Sequence, residues 1–564
     1  MKFEEFKYER PNVEELEKNY KILLEKIVSA QSADEQIKVF DQLNRLRRNF
    51  ATMAVLCSIR NSLNTHDEFY EKEQEFFDEY EPIFSSFENQ LTKALVNSQF
   101  KDELIKRYGK HIFVLSELSL KTFDPIIIED LQKENKLTTE YRKLIASAQI
   151  EFEGKVHNLA QMAPYMQSTD REVRRQAEQK VMGFFKANEE KFDAIYDELV
   201  KVRHNMAKKL GFNNFVELAY ARLKRSDYDH MMVKNYRDQV YKEVVPIVRT
   251  IIERKKERLG IQDLKSYDLG LEYLTGNATP KGTKDELVAV AKKMYEEMSK
   301  ETGEFINFMI NHNLMDLETR PGKAGGGYCT FIFDYHAPFI FANFNGTQGD
   351  VDVLTHEAGH AFQVYSCRDF EIMEYLFPTF EACEIHSMSM EFFAWPWMEG
   401  FFKEDVHKYK YSHLAGAITF IPYGVAVDEF QHEVYFNPDM TPAERKAKWR
   451  EIEKKYLPDK VYEDDLLERG GFWYRQGHIF SSPFYYIDYT LAQVCAFQYW
   501  HRNQVNHEEA WQSYYELCKQ GGSKSFLELL EVAKLENPFK EGTIKKVMEP
   551  IIEWLNNFDH TLLK

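Results

Sequence analysis

Two histidines four residues apart, with a glutamate directly after the first, lie in the segment LTHEAGHAF, Leu354 to Phe362. On a helix, residues four apart share a face, so His356 and His360 can turn a nitrogen toward one ion. Glu357 sits one step round, near enough to reach a water on that ion without ligating it. Zinc hydrolysis asks for this set: neutral imidazole or carboxylate ligands, an open position, and a base beside the water. The five-residue pattern alone arises by chance in roughly one chain in twenty of this length, so a third ligand has to decide. One common layout needs glycine at 363 and histidine at 366, where this chain has Gln363 and Ser366. The other takes a glutamate from a second helix roughly twenty or more residues on.

Several acids follow, among them Glu371 and Glu374. After Pro378 a new helical stretch reads FEACEIHSMSMEFFAW, and Glu381, Glu384, Met388 and Glu391 fall along one stripe of it. Ile385, Met390, Phe392 and Trp395 surround that stripe, and acids in an apolar helix are costly unless they meet a cation. We take Glu384 as the third ligand and Glu391 as an acceptor that orients a ligand histidine. His386 points elsewhere on the helix and reads as a packed side chain.

These elements sit late in a long chain. With 564 residues, more than one lobe is expected. Acidic residues outnumber basic ones 91 to 73, which argues against a nucleic-acid partner and against anionic membrane surfaces. Six scattered cysteines with no CxxC fit reduced thiols in a cytoplasmic protein. The charged N-terminus lacks the apolar core of a signal peptide. The longest uncharged run, Leu414 to Val427, is too short for a membrane span and reads as buried core.

The first 300 residues read as helix after helix, as at Leu16, Tyr20, Leu23, Ile27 and at Phe40, Leu43, Leu46, Phe50. A turn-rich loop covers Gly270 to Lys284. A second break, Arg320 to Thr347, opens on three glycines and continues as two aromatic and aliphatic runs around DYHAP, the pattern of a hairpin or of two strands in a small sheet. It lies just before the histidine motif. Asp350 or Asp352 suits the start of the helix that follows.

HEAGH, then 23 residues, then EIHSMSME resembles the thimet oligopeptidase and oligoendopeptidase F group of zinc peptidases. GHIFSSPFYYIDYTLA, Gly477 to Ala492, is similar to the same group, which has a histidine and two tyrosines four apart in this region. The resemblance implies a mainly α, multi-helical, two-lobed zincin with a small β-sheet beside the active-site helix and a deep substrate channel. It divides the chain into an N-terminal helical lobe, 1–190, and a catalytic lobe, 191–564. One Zn2+ ion would be held by His356, His360 and Glu384, with Glu391 behind them and Glu357 as the base. Tyr485, with His478 or Tyr489, would assist the transition state. From spacing alone, Tyr485 and Tyr489 read better as an aromatic core stripe.

The implied activity is endopeptidase cleavage of short unstructured peptides. The glycine-opened segment, with Gly327, Tyr328, Cys329 and Thr330, is a candidate edge strand for pairing substrate backbone. Two other classes stay open. A carboxypeptidase would need a cation such as Arg469 or Arg475 for the free carboxylate, and would fail on a peptide blocked at both ends. A non-catalytic peptide binder with a relic site would hold metal without turnover.

Overall fold

The apolar spacing at Leu16, Tyr20, Leu23 and Ile27 becomes the helix Val13–Ser29, started by Asn12, whose side chain accepts from the Glu15 N–H. Phe40, Leu43 and Phe50 line the buried side of the next helix, Ala33–Leu63, which Ser32 caps in the same way. This computed structural model describes residues 1–563, and the protein is mainly α, 72% helical. Among the described residues no helix is long and apolar enough to cross a membrane. The uncharged run 414–427 lies within the long helix Val406–Phe436, whose Leu414, Ile418, Ile421 and Val425 are fully buried.

Five short strands interrupt the helices. Strands β1 (Ile150–Phe152) and β2 (Lys155–His157) pair antiparallel, in a region the sequence reads as helix throughout. The cause is the two-residue turn between them. Glu153 and Gly154 both take positive φ, 48° and 74°, the backbone that turns a tight hairpin and stops a helix. Strands β3 (Met315–Glu318), β4 (Tyr328–Ile332) and β5 (Ala337–Phe344) form a second sheet in the order β3-β5-β4. The β4–β5 pair is the expected hairpin, with Tyr328 opposite Phe341 and Ile332 opposite Ala337. Strand β3, which lies before the glycine segment, joins β5 in parallel. The sheet therefore leaves β4 at its edge.

Lys323 anchors the glycine segment. Its fully buried ammonium donates to Asp316 Oδ1 (2.6 Å) and to the carbonyls of Glu318 (2.8 Å) and Ala342, and it lies over the Phe341 ring. A buried lysine is tolerable only with such partners, and here they tie the loop to both β3 and β5. From the other side the N-terminus clamps the hairpin: Phe6 stacks on Tyr335 at 3.8 Å and Phe3 packs on Phe339. The largest core cluster runs from Phe3 to Leu563 and includes β5, the histidine segment and the C-terminal helices. A second cluster gathers the helices between Tyr20 and Leu115 around Phe50, Phe77 and Phe84, and reaches Ile372 and Tyr375.

Candidate metal centre and its surroundings

The histidine motif lies in the helix Gly349–Ser366, which packs against β4 and β5. Asp350 sits in its first turn and accepts from the N–H groups of Asn345 and Gly346, fixing the entry from β5. The glutamate helix, Phe380–Phe393, crosses it closely. Gly359 makes that crossing possible. A Cβ at this position would lie 2.6 Å from the His386 carbonyl oxygen and 2.6 Å from Ser387 Cα. The motif's glycine is therefore a packing requirement.

The crossing brings together His356, His360 and Glu384, each offering one atom, with those atoms all within 4.8 Å of one another. Glu384 Oε2 lies 3.1 Å from His356 Nε2 and 3.3 Å from His360 Nε2. Ser387 Oγ also donates to Oε2, at 2.8 Å. Burial by itself pushes the Glu384 carboxyl up, but the two imidazoles reverse this and hold it well below the usual range. Glu381, one turn earlier, is buried too but lies outside this group.

Glu391 stands behind His356. Its Oε1 accepts from His356 Nδ1 at 2.7 Å, and its Oε2 accepts from His413 Nε2 at 2.7 Å. Trp395 Nε1 donates to His413 Nδ1 at 3.0 Å, so the His413 proton lies on Nε2. The chain Trp395–His413–Glu391–His356 thus holds a proton on His356 Nδ1 and aims Nε2 at Glu384. Two nitrogens and one carboxylate oxygen form a donor set that zinc accepts, so the residues fit such an ion.

Glu357 is buried beside this group, and its Oε2 has no hydrogen-bond partner among the described residues. Burial lifts its carboxyl above the ordinary value, while His356 and His360 pull it part way back. Above it runs the start of β4. A Cβ on Gly327 would stand 3.5 Å from Glu357 Oε1 and 3.1 Å from Val353 Cγ1, so the glycine lets backbone approach the acid. Tyr328, Cys329 and Thr330 follow, partly exposed, along the sheet edge.

The tyrosines close the other side. Tyr485 immediately precedes the helix Tyr486–Val505, and its ring stacks on Tyr489 at 5.0 Å. Its hydroxyl donates to Glu384 Oε1. Tyr423 donates to Gln476 Oε1 (2.7 Å), Gln476 Nε2 donates to His478 Nδ1 (2.9 Å), and His478 Nε2 donates to the Tyr489 hydroxyl at 3.2 Å. Burial lowers His478 to about 4, so it is neutral near pH 7.

The structure therefore brings His356, His360, Glu384 and Glu391 together with Glu357 and Gly327 on one side and Tyr485, Tyr489 and His478 on the other, and His386 faces away. The His386 ring is buried near Tyr514, and its carbonyl accepts from the Tyr514 hydroxyl at 2.7 Å. Sequence reasoning missed His413, Trp395, Gln476 and Ser387. His413 stands immediately before the uncharged run of the long helix, where a histidine carries no signal of its partner. Ser387, three residues after Glu384, was readable as a helical neighbour.

The profile of peptidase family M3 matches residues 164–549, and that of the peptidase M3 N-terminal domain matches residues 3–123. An oligoendopeptidase F homolog of Borreliella burgdorferi is 24% identical over 488 residues, 83% of this chain and 79% of its own length. A solved structure of PZ peptidase A with an inhibitor is 56% identical, with a TM-score of 0.98 over 99% of this chain and 100% of that one. A Bacillus anthracis structure assigned to oligoendopeptidase F is 52% identical, with a TM-score of 0.94 over 100% of this chain and 99% of its own. With about two thirds of its length matched by the catalytic profile and its N-terminal helices by the companion profile, the chain belongs to peptidase family M3, a family of peptidases.

Proposed function

We propose that the protein is a zinc-dependent endopeptidase that cleaves internal bonds of short, unstructured peptides in the cytoplasm. The observation that carries this is the convergence of three lone-pair donors beside a buried, unpartnered glutamate at the start of an edge strand. His356, His360 and Glu384 would hold one Zn2+ ion, which when bound polarises a water and the scissile carbonyl.

The remaining work falls to the chain. Glu357 takes the proton of the attacking water and passes it to the leaving amine; its raised affinity for a proton suits both steps. Glu391 and His413 hold His356 in the tautomer that presents Nε2. Tyr485, already donating into this space, gives a hydrogen bond to the developing oxyanion, and His478 orients the Tyr489 hydroxyl beside it. Gly327 to Thr330 pair with an extended substrate backbone at the sheet edge, which selects unstructured chains. The walls of helix around the site would form a channel that excludes folded proteins. Six free thiols fit the reducing compartment.

Of the two cations a carboxypeptidase reading could use, Arg469 is spent on Glu189, with contacts of 2.9 and 3.1 Å, while Arg475 lies over the Phe472 ring and leaves that reading for the experiment to decide. Digestion of a mixed peptide library, read by mass spectrometry with and without chelator, tests the proposal. Chelator-sensitive cuts at internal bonds, including those of a doubly blocked peptide, are expected. Removal of C-terminal residues alone would overturn the endopeptidase reading, and efficient cutting of an intact folded protein would overturn the channel.

A further inference from the structure

Phe484, the residue before Tyr485, has φ of 65°. A bulky aromatic side chain rarely occupies this left-handed region, and such a conformation persists only where its surroundings hold it. Two buried side chains do so here. Gln431 Oε1 accepts from the Phe484 N–H at 2.9 Å, and Arg225 Nη2 donates to the Phe484 carbonyl at 2.7 Å. The same nitrogen donates to Asp488 Oδ1, also at 2.7 Å. Arg225, Gln431, Phe484 and Asp488 are all buried. The guanidinium is itself pinned over the Tyr220 ring, 4.4 Å from its centre.

The placement is selective. Phe484 precedes Tyr485, and Asp488 precedes Tyr489. Arg225 therefore grips the tyrosine pair at both flanks, through the carbonyl that sets the turn and through a carboxylate on the first turn of the helix. Without that grip, the backbone at 484 would relax toward negative φ, and the Tyr485 hydroxyl would swing away from Glu384.

We propose that Arg225 is a positioning residue for the transition-state donor: it holds the strained turn at Phe484 so that Tyr485 points into the site. It touches none of the metal-ligating side chains. The inference rests on the reading of Tyr485 as the oxyanion donor.

A double-mutant cycle tests it, using the full chain loaded with zinc and a short internally cleaved peptide. Arg225→Met and Gln431→Met are each made alone and with Tyr485→Phe. A displaced donor costs roughly tenfold to a hundredfold in kcat, with KM held within about twofold and zinc content unchanged. In the Tyr485→Phe background both losses should vanish, because the group being aimed is gone. Arg225→Lys, which keeps a donor near Phe484, should recover part of kcat. If Arg225→Met does not fold, Gln431→Met carries the same cycle, since it frees Phe484 from the other side without stranding a charge. Equal losses with and without Tyr485, or a loss traced to zinc content, would overturn the grip and leave a merely structural arginine. A Tyr485→Phe enzyme with unimpaired kcat would instead remove the donor reading, and this proposal with it.

Discussion

Gly359→Ala should loosen the metal site without changing any ligand. The added methyl would lie 2.6 Å from the His386 carbonyl oxygen, 2.6 Å from Ser387 Cα and 3.0 Å from Met390 Cβ. Two of these three atoms are backbone and cannot rotate aside. Ordinary contact begins near 3.4 Å, so the two helices must part by about 0.8 Å. Gly359 is one residue before His360, and His386 is two after Glu384, so the displacement falls on the ligand triangle, whose near edges are 3.1 and 3.3 Å. Metal–ligand distances tolerate only about 0.2 Å. Alanine gains about 1 kcal/mol of helix propensity, against about 1–3 kcal/mol for overpacking, so the fold loses at most about 2 kcal/mol. Zinc affinity should fall tenfold or more, on the order seen when supports of a metal site are lost. Competition with a chelator measures the affinity, and urea unfolding measures the fold. Gly416→Ala is the control: that glycine is exposed on the long helix with nothing within 4 Å of its would-be Cβ, so the change should leave affinity alone. A Gly359→Ala protein that binds zinc as tightly as the wild type would show that the crossing does not set the ligand triangle.

Glu357→Gln should keep zinc and lose nearly all turnover, because the ligands remain while the base is gone; metal analysis beside a rate assay decides, and a near wild-type rate would remove Glu357 from the mechanism. Glu384→Ala should release zinc and Glu381→Ala should not; the reverse would place the ligand one helical turn earlier. His413→Phe should weaken zinc by about tenfold or more, whereas His413→Gln, with an amide N–H for Glu391, should restore most of it; equal affinity in both would sever His413 from the site. His478 has its folded pKa lowered to about 4 by burial, below the ordinary value near 6.5, so protons favour the unfolded chain and stability falls as pH drops from about 6.5 toward 4. His478→Gln should remove up to about 2 kcal/mol of the loss between pH 7.5 and pH 5, read from urea midpoints; identical acid limbs for both proteins would contradict it.

What the sequence made legible follows from range. His356, Glu357 and His360 are spaced within one helix, and Glu384 and Glu391 lie two turns apart on another, so helical periodicity alone puts each set on a face. The uncharged run 414–427 was legible as core for the same reason. The β1–β2 hairpin was readable in principle, since IEFEGKVH alternates and carries a Glu-Gly turn, but six paired residues are too few to outweigh the helical pattern on both sides. Strand β3 was hidden more deeply, because only its parallel pairing with β5 makes it a strand. The supports of the site were out of reach altogether. His413 finds Glu391 from 22 residues away, and Arg225 finds Phe484 across 259. No local pattern marks such a partner, because packing chooses it. The metal-site residues thus fall into sets each spaced within one helix, while the groups that aim them come from other elements whose positions depend on the whole core. Variants of the first kind should abolish a step of the reaction. Variants of the second kind should leave each step possible but misaligned, and should therefore show themselves as coupling between sites and not as simple loss.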